Sequence, residues 1–217
     1  MTRHHVPDDL LFEYATGALP EGPALAVLTH LSYCGVCRAA LGRLEAVGGA
    51  MLEALEPAAV DAALLERTLA RLDEPSPEED RPAVQQSDGP RGLLPPVLRP
   101  YLASTLEDAR WRFAAPHVRE VRLSLASRSH RASLLRVAAG RPVPRHTHRG
   151  VEYTVVLSGG FTDRGAAFRV GDFSMSDPAV EHRPVAMEDA ECLCLTVLDA
   201  PVRPTSRIGR LIAPFLR

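Results

Sequence analysis

The stretch from Gly140 to Gly159 constrains the fold of the 217-residue chain most strongly, because it combines metal-binding residue types with strand-like sequence. His146 and His148 are two positions apart, so both side chains point to one face of an extended segment. Glu152 lies at an even spacing from both histidines and can join them inside a β-barrel. Two imidazoles and a carboxylate suit Zn2+, with Mn, Fe and Ni as alternatives. The stretch therefore predicts a divalent-metal site beside a strand.

The sequence on both sides of this stretch has the pattern of short strands separated by Gly or Pro turns. The predicted strands cover residues 118–125, 130–137, 151–157, 167–170 and 192–198. Closely spaced short strands with few helical signals are typical of a β-barrel or a β-sandwich. After Pro204, apolar residues at helical spacing predict a C-terminal helix.

A second group of metal-binding residue types lies in the first part of the chain. His30, Cys34 and Cys37 follow one another at intervals of about one helical turn, so their side chains can converge. A tetrahedral zinc site needs a fourth ligand, which His4 or His5 can supply. A Cys-x-x-Cys pair can also be a redox dithiol, but that motif normally follows a strand in a βαβ unit. Helical sequence on both sides favours structural zinc.

Four helices are predicted around this second group, over residues 8–17, 24–31, 34–55 and 57–72. Pro57 suits the first turn of the fourth helix. A four-helix unit of this size buries little apolar surface, so a bound metal would add needed stability. The fourth helix carries an apolar stripe, formed by Val60, Leu64, Leu65, Leu69 and Leu72. The stripe can be internal core or a docking face for a partner.

Composition divides the chain into three parts: a helical domain (1–72), an acidic Pro-rich linker (73–92) and a β domain (93–217). Residues 1–92 carry 15 Asp and Glu against 7 Arg, whereas residues 93–217 carry 12 against 18. The acidic first part disfavours direct nucleic-acid binding and favours a basic protein partner. No run reaches the roughly 18 apolar residues of a membrane span, and the N-terminus does not resemble a signal peptide. We therefore expect a cytoplasmic protein whose cysteines are metal ligands or free thiols.

The first part resembles the zinc-binding anti-sigma domains of the ChrR type. The resemblance rests on His5 and on the segment Thr29-His-Leu-Ser-Tyr-Cys-Gly-Val-Cys-Arg-Ala, which contains His30, Cys34 and Cys37. In that family a histidine near the N-terminus is the fourth zinc ligand, which implies His5 rather than His4. The resemblance also implies a four-helix domain that binds an extracytoplasmic-function sigma factor, with the fourth helix as an arm packed against that factor.

The second part resembles a cupin domain. Gly140, His146, His148, Glu152 and Gly159 match the first cupin motif at its defining positions. The second motif is degraded: Gly171 and His182 stand at the expected separation, but the residues between them depart from the pattern. The resemblance implies that His182 is the fourth ligand of the metal bound by His146, His148 and Glu152. The order of the two domains is itself ChrR-like.

Together these resemblances predict an α+β multidomain protein, with a small four-helix zinc-binding domain followed by a cupin β-barrel. They imply an anti-sigma factor rather than an enzyme, in which the cupin domain senses oxidative stress of the singlet-oxygen type. The alternative is a cupin metalloenzyme, a dioxygenase or an isomerase, with an accessory zinc domain. Cys192 and Cys194 are either buried apolar residues or an oxidisable pair near the cupin metal.

Overall fold

The computed structural model describes residues 2–72 and 94–205 of the chain. The predicted linker and the predicted C-terminal helix beyond Pro204 lie outside these residues, apart from their flanking positions. Contacts divide the chain into two compact units: residues 1–44 with residues 92–217, and residues 45–91. Within the described ranges, no helix combines the length and apolar character that a membrane-spanning helix requires.

Four α-helices occupy the first part of the chain, as predicted. They are α1 (Asp8–Ala15), α2 (Glu21–Leu31), α3 (Gly35–Glu53) and α4 (Leu64–Leu72). The acidic pair Asp8 and Asp9 lies in the first turn of α1, where negative charge stabilises the helix dipole. Gly17 has a positive φ of 70° just after α1, which a glycine adopts without strain.

The predicted start of the fourth helix at Pro57 is wrong, because α4 begins at Leu64. The start is marked by Asp61, whose carboxylate accepts a hydrogen bond from the Ala63 N–H at 3.0 Å. The Asp61 carbonyl accepts a second bond from the Leu64 N–H at 2.9 Å. An aspartate that bonds nearby N–H groups is a strong helix-start signal, and here it outweighs the proline four residues earlier.

The second part of the chain is a cupin-like β-sandwich, which confirms the predicted fold class. Its strands form a six-stranded sheet in the order β1-β2-β3-β10-β5-β8, a three-stranded sheet β7-β6-β9 and a two-stranded sheet β11-β4. All neighbouring strands pair antiparallel. A 3-10 helix, Pro96–Tyr101, precedes the first strand. The strands are β1 (Arg112–Ala115), β2 (Val118–Arg122), β3 (Arg131–Val137), β4 (His146–Thr147), β5 (Glu152–Ser158), β6 (Gly160–Asp163), β7 (Ala166–Arg169), β8 (Phe173–Ser176), β9 (Val185–Ala186), β10 (Cys192–Leu198) and β11 (Arg203–Pro204).

The main hydrophobic core is shared by α1, α2 and the large sheet. Helix α2 packs on β5, β10 and the 3-10 helix, and its residues Leu25, Ala26 and Val27 are almost fully buried. Gly22 lets α2 lie close to His130, the residue just before β3, because a Cβ at position 22 would be only 2.7 Å from the His130 Cβ. Burial of a leucine-sized side chain contributes about 1.5–3 kcal/mol, so this contact is a substantial part of the stability of the unit. The division into a helical domain (1–72), a linker (73–92) and a β domain (93–217) stays a prediction.

Candidate metal centres

The four predicted cupin ligands converge in the β-sandwich. His146 lies on β4, His148 follows it, and Glu152 opens β5. His182 reaches the same place because its backbone pairs with His146 in both directions, with N–H to carbonyl distances of 3.1 Å. We call the group formed by His146, His148, Glu152 and His182 the cupin site. The three imidazoles are buried, and the glutamate is half-buried.

The distances within the cupin site suit a metal ion. The Nε2 atom of His182 lies 3.0 Å from the Nε2 atoms of both His146 and His148. The Glu152 Oε2 atom lies 3.1 Å from the His148 Nε2 atom and 3.4 Å from the His182 Nε2 atom. All four ligand atoms lie within 4.8 Å of one another. Imidazole nitrogens and a carboxylate oxygen suit a divalent metal of the Zn, Mn, Fe or Ni type.

Hydrogen bonds on the far side of two rings indicate that the converging nitrogens carry lone pairs. The His146 Nδ1–H donates to the Pro144 carbonyl at 2.8 Å. The His182 Nδ1–H donates to the Asp163 carboxylate at 2.9 Å. Each neutral imidazole then presents an unprotonated Nε2 to the centre. Two lone pairs facing each other at 3.0 Å repel, and a cation between them turns that repulsion into attraction.

The pKa values show how charge is arranged at this site. Burial opposes ionisation of Glu152, but its contacts with the imidazoles of His146, His148 and His182 hold the pKa of its carboxyl well below the usual 4.5. Burial also opposes the charged form of His182, yet Glu152 and Asp163 raise the pKa of its imidazole above 6.5. A carboxylate is therefore present near neutral pH, surrounded by imidazoles.

Asp163 is a functional residue that the sequence analysis missed. Its side chain is buried, and its carboxylate bonds the Nδ1 of His182. A carboxylate behind a histidine ligand orients the ring and raises the basicity of the ligating nitrogen. The sequence does contain a signal for this residue. Side chains alternate between the two faces of β6, which places Asp163 on the same buried face as Phe161. A charged residue at such an inward position indicates a buried partner.

We expect Asp163→Asn to weaken metal binding at the cupin site by about 10- to 100-fold, because the amide cannot polarise His182 as a carboxylate does. Equilibrium dialysis against a competing chelator measures the affinity. Asp108→Asn is the matched control, since Asp108 is an exposed aspartate of the same domain. Equal metal affinities of the two variants would contradict this role of Asp163.

The candidate ligands of the second predicted group, in the first part of the chain, also lie close together. His30 lies near the end of α2, Cys34 precedes α3, and Cys37 lies in the first turn of α3. His5 joins them from the segment before α1. We call the group formed by His5, His30, Cys34 and Cys37 the N-terminal site. Its four ligand atoms also lie within 4.8 Å of one another.

The geometry of the N-terminal site is close to that of tetrahedral zinc. The His30 Nε2 atom lies 3.2 Å from the Cys37 Sγ atom. The His5 Nδ1 atom lies 3.2 Å from the Cys34 Sγ atom and 3.5 Å from the Cys37 Sγ atom. Zinc bonds of about 2.0–2.3 Å place tetrahedral ligand atoms about 3.3–3.8 Å apart. Two sulfurs and two imidazole nitrogens are a common structural zinc set.

The structure brings His5, not His4, into this group. The His4 Nε2 atom lies 3.1 Å from the Ala167 carbonyl, and the His4 ring packs on Phe168 with centroids 4.2 Å apart. Adjacent residues on an extended segment point in opposite directions, so only one of the two histidines can face the cysteines. Backbone direction thus turns His5, the histidine that the resemblance implies, toward the cysteines.

The two cysteines have different pKa values. Burial opposes the Cys34 thiolate, but hydrogen bonds from Thr2, Cys37 and His5 bring the pKa of Cys34 down from 9.0 to about 7. Burial and the neighbouring Cys34 raise the pKa of Cys37 to about 11. One negative charge is therefore favoured in the pair near neutral pH. A divalent cation would stabilise the second thiolate as well, which is the usual way that metal binding releases protons.

Comparison with known proteins identifies the family. Residues 102–201 match the family model described as the ChrR cupin-like domain. The anti-sigma-E factor ChrR of Cereibacter sphaeroides is 42% identical over 215 residues, which cover 99% of this chain and 98% of that protein. The chain belongs to the ChrR family. A crystal structure described as Rhodobacter sphaeroides SigE in complex with the anti-sigma ChrR matches with 39% identity and a TM-score of 0.74. The match covers 91% of this chain and 99% of that one.

The degraded second motif of this ChrR family member does not prevent His182 from reaching the cupin site. The residues that depart from the cupin pattern, Pro178 and Ala179, lie in a turn before His182. The Thr147 hydroxyl donates to the Pro178 and Val180 carbonyls at 3.2 and 3.0 Å, which holds this turn against β4. The position of His182 depends on this pairing rather than on the missing glycine.

Cys192 and Cys194 of this ChrR family member are both buried on β10. Their mutual hydrogen bond, together with burial, raises the pKa of Cys194 well above its usual value of 9.0. A thiol that stays protonated is a poor nucleophile and is oxidised slowly. These observations favour the interpretation of Cys194 as a buried apolar residue.

Proposed function

We propose that this chain is a cytoplasmic anti-sigma factor that binds and inhibits an extracytoplasmic-function sigma factor through its N-terminal helices. The near full-length similarity to the anti-sigma-E factor ChrR supports this function. The observation that carries it is an unpartnered apolar surface on α3 and α4. In α4 no residue is buried, and Leu65, Leu69 and Leu72 are 69%, 54% and 75% exposed.

Helix α3 exposes a similar surface in its second half. Val47, Met51 and Leu52 are all more than 60% exposed. Isolated exposed leucines are ordinary, but a run of large apolar side chains on two successive helices is typical of a protein interface. Of the two interpretations of the α4 stripe, these exposures favour the docking face. The net charge of residues 1–92, 15 acidic against 7 basic, favours a basic partner surface.

We further propose that Zn2+ occupies the N-terminal site, held by His5, His30, Cys34 and Cys37. The distances, the ligand types and the lowered pKa of Cys34 support this assignment. Because metal binding free energy becomes folding free energy in a small unit, zinc would keep the N-terminal helices in a binding-competent arrangement.

The cupin site would hold a second divalent metal, Zn2+ in preference to Mn, Fe or Ni, through His146, His148, Glu152 and His182. In this proposal the cupin domain relays oxidative stress of the singlet-oxygen type and so releases the sigma factor. When bound, the metal would supply a positive charge between the three imidazoles, and Asp163 holds the ring of His182. The enzyme alternative has no support from the relatives, since the two similar proteins above are described as anti-sigma factors.

The experiment for the docking face is a charge substitution on α4. We expect the double variant Leu65→Asp and Leu69→Asp to weaken binding of the partner extracytoplasmic-function sigma factor by about 30-fold or more, because buried interface leucines contribute about 2 kcal/mol when they are hot spots. Isothermal titration calorimetry with the purified proteins measures the change. Since both leucines are exposed in the free chain, the fold and the metal content stay unchanged.

The matched control is Ala70→Asp on the same helix. At 100° per residue, Ala70 lies about 140° from Leu65 and about 100° from Leu69 around α4, away from the face that the two leucines share, and it is also exposed. We expect this variant to bind the sigma factor with nearly normal affinity. An equal loss of affinity in both proteins would indicate a general charge effect, and normal affinity of the leucine variant would contradict the docking face.

A further inference from the structure

The turn formed by Gly171, Asp172 and Phe173 in the β-sandwich contacts the N-terminal site. The Nδ1–H of His30 donates to the Gly171 carbonyl at 2.7 Å. This bond assigns the proton to Nδ1, so the Nε2 atom carries the lone pair and faces Cys37 at 3.2 Å. The ring of His30 also packs edge-on against Phe173, with centroids 5.8 Å apart. The tautomer and orientation of one predicted ligand therefore depend on this turn.

The same turn holds the segment that carries His5. The Asp172 side chain is almost fully buried, and its Oδ1 atom accepts hydrogen bonds from the N–H groups of Arg3 at 2.6 Å and His4 at 3.1 Å. Its Oδ2 atom accepts a third bond from the Arg169 N–H at 2.9 Å. The Phe173 N–H in turn donates to the His4 carbonyl at 3.1 Å. The backbone immediately before His5 is thus held through the N–H groups of Arg3 and His4 and through the His4 carbonyl.

Close packing leaves little room for this turn to move. Gly171 has a φ of +87°, and a Cβ at this position would lie 2.7 Å from both the Thr2 Cγ2 and the Tyr33 Cβ. Thr2 and Tyr33 belong to the two segments that carry His5 and Cys34. By sequence, Gly171 belongs to the second cupin motif. Its carbonyl and its missing side chain also serve the N-terminal site.

We propose that the 171–173 turn is an outer shell of the N-terminal metal site, through which the cupin domain determines how tightly that site holds zinc. The turn positions His30 through Gly171 and His5 through Asp172. It leads directly into β8, whose Ser176 pairs with Glu152 of the cupin site. The strand that begins at the N-terminal site therefore ends beside a ligand of the other site. This inference uses the zinc assignment of the proposed function.

The test is the rate at which the full-length protein loses zinc. We expect Asp172→Asn to transfer zinc from the N-terminal site to a chromogenic chelator about 10- to 100-fold faster than the unsubstituted protein, the usual effect of removing an outer-shell partner. An asparagine side chain has one acceptor oxygen and an NH2 group, and the NH2 group cannot accept hydrogen bonds from backbone N–H groups. The metal content of the cupin site is measured in the same samples and reports whether the β-sandwich is folded.

A second variant separates this effect from damage to the β-sandwich. Arg3→Pro removes the N–H that bonds Asp172 while leaving every residue of the cupin domain unchanged. We expect it also to accelerate zinc loss, whereas Asp108→Asn, at an exposed aspartate, has no effect. If Asp172→Asn also loses the cupin metal, its faster zinc loss could come from an unfolded β-sandwich. The zinc-loss rate of Arg3→Pro then tests the inference. Unchanged zinc loss in Arg3→Pro, or in Asp172→Asn with the cupin metal retained, would overturn this inference alone. Full-length protein that binds no zinc at the N-terminal site would overturn the zinc assignment as well.

Discussion

Substitution of Cys34 by serine is expected to empty the N-terminal site and to weaken sigma-factor binding by about 100-fold or more. The Cys34 Sγ atom lies 3.2 Å from the His5 Nδ1 atom, and its thiolate is the one favoured near neutral pH, with a pKa of about 7. A serine hydroxyl stays protonated and is a poor zinc ligand. Metal analysis of the purified protein and calorimetric titration with the sigma factor measure the two losses.

The structure indicates where order would be lost in this variant. Helix α2 packs on β5 and β10, so its buried face has support that does not depend on zinc. The start of α3 packs less on other helices and strands, and we expect amide hydrogen exchange to increase there first. Cys192→Ala is the control, because Cys192 is an equally buried cysteine outside both metal groups. Unchanged sigma-factor affinity in Cys34→Ser would refute the role proposed for the N-terminal site.

The second large effect is expected from Glu152→Gln at the cupin site. The carboxylate lies within 3.8 Å of all three imidazole Nε2 atoms and supplies the negative charge of the site. An amide of the same shape removes that charge, so we expect metal affinity at the cupin site to fall by about 100-fold or more. Metal content per chain, measured separately for the two sites by chelator competition, shows the loss.

The same variant tests the division of roles between the two parts of the chain. We expect Glu152→Gln to keep normal sigma-factor affinity, because the docking surface on α3 and α4 is unchanged. In a reporter strain, release of the sigma factor under singlet oxygen should be blunted. Glu188→Gln, at an exposed glutamate of the same domain, is the matched control. Constitutive release of the sigma factor in Glu152→Gln would contradict a relay role for the cupin domain.

Local signals predicted most of the fold. Strand-like runs between Gly or Pro turn residues located five of the eleven strands in the described residues, namely β2, β3, β5, β7 and β10, and the prediction for residues 192–198 coincides with β10. The other six strands, which have two to four residues each, were not predicted. Helices α1 to α3 were located within a few residues by their breakers and apolar spacing. The start of α4 was predicted seven residues too early, because a proline such as Pro57 is typical of a first helical turn. In the structure the helix starts later, after the hydrogen bond from the Ala63 N–H to the Asp61 carboxylate.

The candidate ligands of the two sites were predictable from the sequence, but the residues that position them were not. The eight candidate ligands are of strongly metal-binding types at motif spacing, and the structure brings them together in two groups of four. The carboxylates behind them were not predicted. Asp163 lies 19 residues from His182, and Asp172 lies 168 residues from His4. No local pattern relates such distant positions, because the contact exists only once strands and helices have packed.

The sequence by itself determined the two sets of candidate ligands, the helical and β-rich halves of the chain and its family, since each depends on residue types at short spacing. Tertiary structure alone decided how His5 reaches the cysteines, because the direction of that segment is set by its bonds to Asp172 and Phe173. It also decided that the first helices and the large sheet share one core. Burial of α2 against β5 and β10 produces that arrangement, and it brings a turn of the cupin domain to the N-terminal site.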